Sequence, residues 1–384
     1  MSVCFDVPDT SPAPLHSPPH LRHYRLIIVI AAAAAVVIGV VTVAVVAAVR
    51  VLQGVATPST EALPLPPLAP AIAGAIAARV DPGLADVTGT VRGMEVAGTG
   101  MVLTPSGLVL TNNHVIEGAN AIAVTDVANH IVYRASVLGY DESQDIAVLQ
   151  LIGASRLKTV TLGNSSAVRM GEQVVALGNA GGVGGTPGEV TGAVTALSTS
   201  LTAMDPVSGI AEPLTGLIRS NAPIQPGDSG GALANSAGEV IGMNTASSKS
   251  NGQSDAISAF AVPIAQASSI CAAIVAGRGS PTIHIGPTAS MGIQVAQSAT
   301  VAPGHKRVTG VRVTGVAAGM PAAAAGLADG DVIIAFGGNS VGSAAALRDA
   351  RVPYHPGNQV SVTWLDRAGQ AHIAIITLAS GPAG

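Results

Sequence analysis

Residues 225–231 read Gln-Pro-Gly-Asp-Ser-Gly-Gly, a turn in which one small hydroxyl residue, Ser229, stands between glycines. Glycine adopts left-handed backbone conformations at no steric cost and lets amide groups approach a substrate carbonyl without a Cβ in the way. Such a turn can present a serine as a nucleophile, with the amides of Gly227 and Ser229 as its oxyanion hole. A serine hydroxyl attacks poorly alone. It needs a neutral imidazole to take its proton and a carboxylate to fix the imidazole's tautomer. Two upstream segments offer these groups: the strand-like run Leu108–Thr111 leads to His114, and Asp145 opens the apolar run Ile146–Leu149.

The order His, Asp, Ser along the chain is that of chymotrypsin-type double β-barrels and differs from the orders in subtilisin and the α/β-hydrolases. Six segments carry a closer likeness: Gly98-Thr-Gly-Met-Val-Leu103, Leu110-Thr-Asn-Asn-His-Val115, Asp145-Ile-Ala-Val-Leu149, Ala176-Leu-Gly-Asn-Ala180, Pro226-Gly-Asp-Ser-Gly-Gly231 and Phe260-Ala-Val-Pro263. This set resembles the trypsin-like core of the HtrA (DegP-like) serine proteases, in particular their actinobacterial, mycobacterial-type members. The resemblance implies an all-β chymotrypsin-like double β-barrel over residues 86–280. Its first lobe would carry His114 and Asp145 and its second Ser229, with the cleft between them as the active site. It implies serine endopeptidase activity on unfolded or misfolded exported proteins, a protein quality control and stress-response role. No metal or organic cofactor is called for.

By the same resemblance, Asn221, Ala222 and Pro223 together with Asn244, Thr245 and Ala246 wall the primary substrate pocket. None of them is a carboxylate, so small or medium aliphatic residues are expected there instead of Lys or Arg. The polar stretches 201–213 and 247–258 fall where the family carries regulatory loops. The tail over residues 284–380 resembles an α+β PDZ domain. Ser290-Met291-Gly292-Ile293 would be its carboxylate-binding loop, and Gly326–Ile334 matches the segment that leads into a strand. PDZ domains add an extended peptide to a sheet edge and hold its C-terminal carboxylate on backbone amides.

The chain has 384 residues, enough for two or three units. Hydrophobic residues make up 48% but aromatics only 2%, so any core must be filled by Ala, Val, Leu and Ile. A net charge of −4 leaves no basic footprint, which excludes nucleic acid as an expected partner. Residues 1–25 are rich in Pro, Ser and His and read as a disordered cytoplasmic tail. Leu26–Val49 is an uncharged apolar run that as a helix would extend about 36 Å, enough to cross a bilayer. It is too long for the apolar core of a signal peptide and lacks a clear Ala-x-Ala site after it. Arg22 and Arg25 precede it and Arg50 follows, which puts the N-terminus in the cytoplasm and the rest outside. Residues 50–85 form a Pro/Ala-rich linker, within which residues 71–79 suit a short helix. Cys4 and Cys271 then lie on opposite sides of the membrane and cannot pair.

Two positions depart from the family. Asp228 stands where many members carry Asn, and a buried carboxylate needs a partner. HtrA trimers are generally stapled by aromatic residues near the start of the protease domain, and none occurs between Tyr24 and Tyr133, so a homo-oligomer is open and a trimer is not implied. The rival reading is a catalytically silent protease-fold scaffold or chaperone that binds peptides through the PDZ groove; an esterase would share the same chemistry.

Overall fold

In the computed structural model, residues 68–91, 93–204, 211–249, 257–296, 298–301 and 308–383 are described. The expected cytoplasmic tail, the membrane-spanning run and the start of the linker lie outside them. Among the described residues no helix is long and apolar enough to cross a membrane.

The first described element is helix α1, Pro70–Val80, with proline in its first turn, where the missing N–H costs nothing. It buries Ala73, Ile76, Ala77 and Val80, the spacing of one helical face, against the second of the two barrels that follow. The C-terminal part of the expected linker is thus built into the fold, because its alanines and isoleucines share a core cluster with Leu177 and Val240.

Six strands form the first barrel: β1 Leu84–Val91, β2 Met94–Val102, β3 Leu108–Thr111, β4 Ile122–Asp126, β5 Val132–Asp141 and β6 Ile146–Leu151. They run in the order β5-β4-β1-β2-β3-β6, and pairing of β5 with β6 closes the ring. The second barrel is closed in the order β10-β11-β12-β9-β8-β7, from β7 Gln173–Gly178, β8 Gly188–Met204, β9 Ala211–Ser220, β10 Ala232–Ala234, β11 Val240–Lys249 and β12 Ile257–Pro263. The cores are filled as an aromatic-poor sequence must fill them, by residues such as Val87, Leu110, Leu149, Val174, Leu217 and Ile241.

The polar stretches expected as loops are partly strand. β8 and β9 pair out to Met204 and Ala211, and β11 and β12 to Lys249 and Ile257, which leaves 205–210 and 250–256 outside the described residues. Register shifts at 194–201 of β8, with Ser198 at φ 53°, lie just before the first of these stretches, and each resets the alternation of side chains between faces.

Between β3 and β4 lies the short helix α2, Asn113–Ile116, against β1 and β2, and after the barrels comes helix α3, Ile264–Val275, which packs back on β5, β6 and β11. The chain then adds strand β13, Ile283–Ile285, to the edge of the first barrel along β5. A Cβ on Gly139 of β5 would lie 2.4 Å from the His284 carbonyl, so only glycine permits this approach.

The remainder is an α+β unit. Its sheet runs β15-β17-β18-β20-β21, from β15 Ile293–Val295, β17 Val308–Val316, β18 Val332–Phe336, β20 Gln359–Leu365 and β21 Ala371–Thr377. Short strands β14 Ala289–Ser290, β16 Ala299–Val301, β19 Asn339–Ser340 and β22 Ala379–Ser380 complete it, β14 pairing with β22. Helices α4, Pro321–Ala324, and α5, Ala344–Arg351, cover a core containing Met291, Phe336, Leu347 and Trp364.

Candidate active site

His114 sits in α2, immediately after strand β3, and Asp145 lies at the end of a 3-10 turn, Glu142–Gln144, immediately before β6. β3 and β6 are paired neighbours, Thr111 opposite Ala147, so the two residues leave adjacent strands at the same end of the barrel. Asp145 adopts a left-handed conformation, φ 53° and ψ 48°, uncommon for a side chain of this kind. Asn112 holds it there by donating Nδ2 to the Asp145 carbonyl at 2.8 Å.

That conformation aims the carboxylate at one residue twice. Asp145 Oδ1 accepts the backbone amide of His114 at 3.0 Å, and Oδ2 lies 2.8 Å from His114 Nδ1. A carboxylate only accepts, so Nδ1 carries the proton and Nε2 keeps its lone pair. Thr245 Oγ1 also donates to Oδ2. Asp145 is almost fully buried, and these three donors compensate its negative charge.

Ser229 lies on the turn before β10. Its hydroxyl donates to the Thr245 carbonyl at 2.9 Å. Thr245 therefore links the serine on the second barrel to the acid on the first. The turn itself is pinned by Thr99 of β2: its amide donates to the Ser229 carbonyl at 2.8 Å, and its hydroxyl donates to the Gly227 carbonyl at 2.7 Å while accepting the Asn179 amide at 2.8 Å. The Thr99 carbonyl in turn accepts Thr111 Oγ1 at 2.6 Å.

Glycine is required twice in this turn. Gly227, at φ 99°, would put a Cβ 2.1 Å from the Asn179 carbonyl, and Gly230, at φ 84°, would put one 2.0 Å from the Thr99 carbonyl. The amides of Asp228, Gly230 and Gly231 donate to the carbonyls of Gln225, Asn244 and Asp228. Those of Gly227 and Ser229 donate to no carbonyl among the described residues.

Asp228 is buried, 4% exposed. Its Oδ2 accepts the Gln225 amide at 2.7 Å, while Oδ1 has no partner among the described residues. Burial raises its pKa above the ordinary carboxylate value, and the Gln225 bond offsets this only in part. The partner absent from the sequence is thus a backbone amide of the same turn.

The six residues expected to wall a substrate pocket are divided. Asn221 accepts the Ala193 amide at 2.7 Å and Pro223 is exposed. Ala222 is fully buried in the second barrel's core against Gly192, and Asn244 turns Nδ2 to the Leu177 and Ala232 carbonyls. Thr245 faces the acid; the Ala246 side chain lies outside the described residues. Thr99, Asn112 and the Asp145 contact of Thr245 escaped the sequence reading, because hydroxyls and amides this common carry no signal until tertiary contacts assign them. In the PDZ-like unit, Met291 is buried, Gly292 has φ 77° with its amide on Ser290 Oγ at 3.0 Å, and Ile293 begins β15. Among the described residues no group of His, Cys, Asp and Glu is arranged to hold a metal ion.

Two closed barrels with a paired His and Asp on one and a serine turn on the other define a trypsin-like peptidase domain, here followed by a PDZ unit. Residues 98–243 match the trypsin-like peptidase domain family, and residues 289–371 match the PDZ domain family. The serine protease PepD of Mycobacterium tuberculosis is 30% identical over 339 residues, which cover 84% of this chain and 69% of PepD. HhoB of Synechocystis sp. is 34% identical over 66% of this chain and 59% of its own. A DegP-like periplasmic serine endoprotease of Chlamydia trachomatis is 34% identical over 69% of this chain and 50% of its own. The chain belongs to the HtrA family of serine proteases. It spans between half and about two thirds of the length of these relatives.

Proposed function

We propose that this chain is a membrane-anchored, extracytoplasmic serine endopeptidase that cleaves unfolded or misfolded exported proteins. In this reading Ser229 Oγ attacks the scissile carbonyl, His114 Nε2 takes the proton and returns it to the leaving amine, and Asp145 holds the imidazole and stabilises its charged form. The amides of Gly227 and Ser229 receive the developing oxyanion. The observation that carries the reading is the bridge through Thr245, whose hydroxyl meets the acid paired with His114 and whose carbonyl meets the Ser229 hydroxyl.

Location outside the cytoplasm is supported by the uncharged run Leu26–Val49 with its flanking arginines and by the periplasmic DegP-like relative. The PDZ unit would recruit C-terminal peptides at Ser290–Ile293. A fluorophosphonate probe, with unfolded casein as substrate, tests the mechanism: the parent should be labelled and turn over casein, and Ser229→Ala should do neither. Equal turnover by both proteins would remove Ser229 from the reaction.

A further inference from the structure

Between β7 and β8 the chain runs Asn179-Ala-Gly-Gly-Val-Gly-Gly185. Gly181, Gly182, Gly184 and Gly185 all have positive φ, from 68° to 95°. Glycine has little preference of its own for one conformation, so such a loop takes its shape from the contacts that hold it.

The loop lies directly against the serine turn. The Gly181 amide donates to the Pro226 carbonyl at 2.8 Å. A Cβ on Gly227 would meet the Asn179 carbonyl at 2.1 Å and the Gly182 nitrogen at 2.6 Å, so turn and loop touch backbone to backbone. The position of one therefore limits the position of the other.

Two neighbouring residues of the first barrel hold the loop's two ends. Asp86 of β1 and Thr99 of β2 are cross-strand partners. Thr99 Oγ1 accepts the Asn179 amide at 2.8 Å, and Asp86 Oδ2 accepts the Gly185 amide at 3.1 Å. Between these ends, Asn179 folds the loop on itself: its Oδ1 accepts the Gly184 amide at 2.7 Å and its carbonyl the Gly182 amide at 2.8 Å. Asp86 is only 6% exposed, between the fully buried Ala85 and Val87. Burying a carboxylate there costs stability that an apolar residue would not, so its presence is accounted for by what it accepts.

We propose that Asp86 is a positioning residue for the peptidase reaction: its carboxylate ties the glycine loop to the first barrel, and the loop steadies the turn whose Gly227 and Ser229 amides receive the oxyanion. Its effect on rate rests on the oxyanion role proposed above; its hold on the loop does not. Losing an oxyanion donor outright costs about 10²–10³ in kcat, so a donor displaced by a slack loop should cost less, about tenfold.

Three variants of the full chain test this. Asp86→Leu and Asp86→Ala remove the acceptor, and Asp86→Asn keeps one in its amide oxygen. On an internally quenched peptide, with active sites counted by a fluorophosphonate, Asp86→Leu and Asp86→Ala should show kcat about tenfold lower and KM within about twofold of the parent. A peptide aldehyde, whose hemiacetal oxygen takes the oxyanion's place, should bind both more weakly by the same factor. Asp86→Asn should stay within about threefold of the parent in both measurements. A purely structural role would lower the number of titrated sites and leave kcat per site and aldehyde affinity unchanged; that result overturns the positioning role, as does an Asp86→Asn as impaired as Asp86→Leu. A parent that neither labels nor cleaves peptide overturns the catalytic reading, and the rate effect with it. Amide hydrogen exchange of residues 180–186 then decides the hold on the loop: faster exchange in Asp86→Leu but not in Asp86→Asn upholds it, and parent-like exchange in both overturns it.

Discussion

The hydroxyl of Thr245 donates to Asp145, so β11 of the second barrel reaches the carboxylate carried by the first. The same residue's carbonyl takes the Ser229 hydroxyl at 2.9 Å. Asp145 and Ser229 therefore share one support, and a shift of β11 would disturb both.

Thr245→Val keeps the shape and removes the donor to the buried carboxylate. A hydrogen bond to a charged group contributes about 1.5–3 kcal/mol, so kcat should fall by about tenfold or more with KM little changed. Thr245→Ser restores the donor and should recover most of the rate. Steady-state kinetics on an internally quenched peptide check this; a full-rate Thr245→Val would dismiss the support.

Asp145→Asn leaves the geometry in place but offers an amide where His114 needs an acceptor. With the imidazole in the wrong tautomer, kcat should drop by about 10⁴. Circular dichroism should show an unchanged fold, and fluorophosphonate labelling of Ser229 should slow in step.

Gly230 and Gly171 separate backbone strain from collision. Both have positive φ, 84° and 81°, but a Cβ on Gly230 meets the Thr99 carbonyl at 2.0 Å, whereas one on Gly171 meets nothing within 4 Å. Gly171→Ala should cost about 1–2 kcal/mol from its left-handed conformation alone and keep full activity. Gly230→Ala should cost more and lose activity, because the serine turn must leave Thr99. Thermal melts and turnover of the two variants decide it.

Asp228 and Asp81 both have carboxyls raised by burial, Asp81 to about 6 with help from Glu189. The folded state then holds protons that the unfolded state releases, so their contribution to stability falls as pH rises above about 4. For Asp81 the fall ends near its folded value of about 6. Asp228→Asn and Asp81→Asn remove this loss. Each should match the parent below about pH 4 and exceed it in Tm at neutral pH, a gap that melts from acid to neutral pH would reveal.

Much of the proposed site was legible because its signals are local. The Gly227–Gly231 turn needs its glycines by backbone geometry, and His114 and Asp145 each stand at the end of an apolar strand. The stretches 201–213 and 247–258 were read as loops because their polar composition carries no strand signal, whereas pairing with a neighbouring strand makes part of each a strand. Where Ala222 and Asn244 point was not legible either: a position near the serine in sequence does not say which way its side chain turns, and here both are buried.

The order and types of His114, Asp145 and Ser229, with the segments that resemble the HtrA family, implied the kind of chemistry and the two-barrel architecture. Tertiary structure alone decided the supports: Thr99 stapling the serine turn, Thr245 joining Asp145 to Ser229, the Gln225 amide answering Asp228, and Asp86 holding the Gly185 amide. These contacts join residues whose types occur throughout the chain, and a hydrogen bond between distant residues exists only once packing has brought donor and acceptor within about 3 Å.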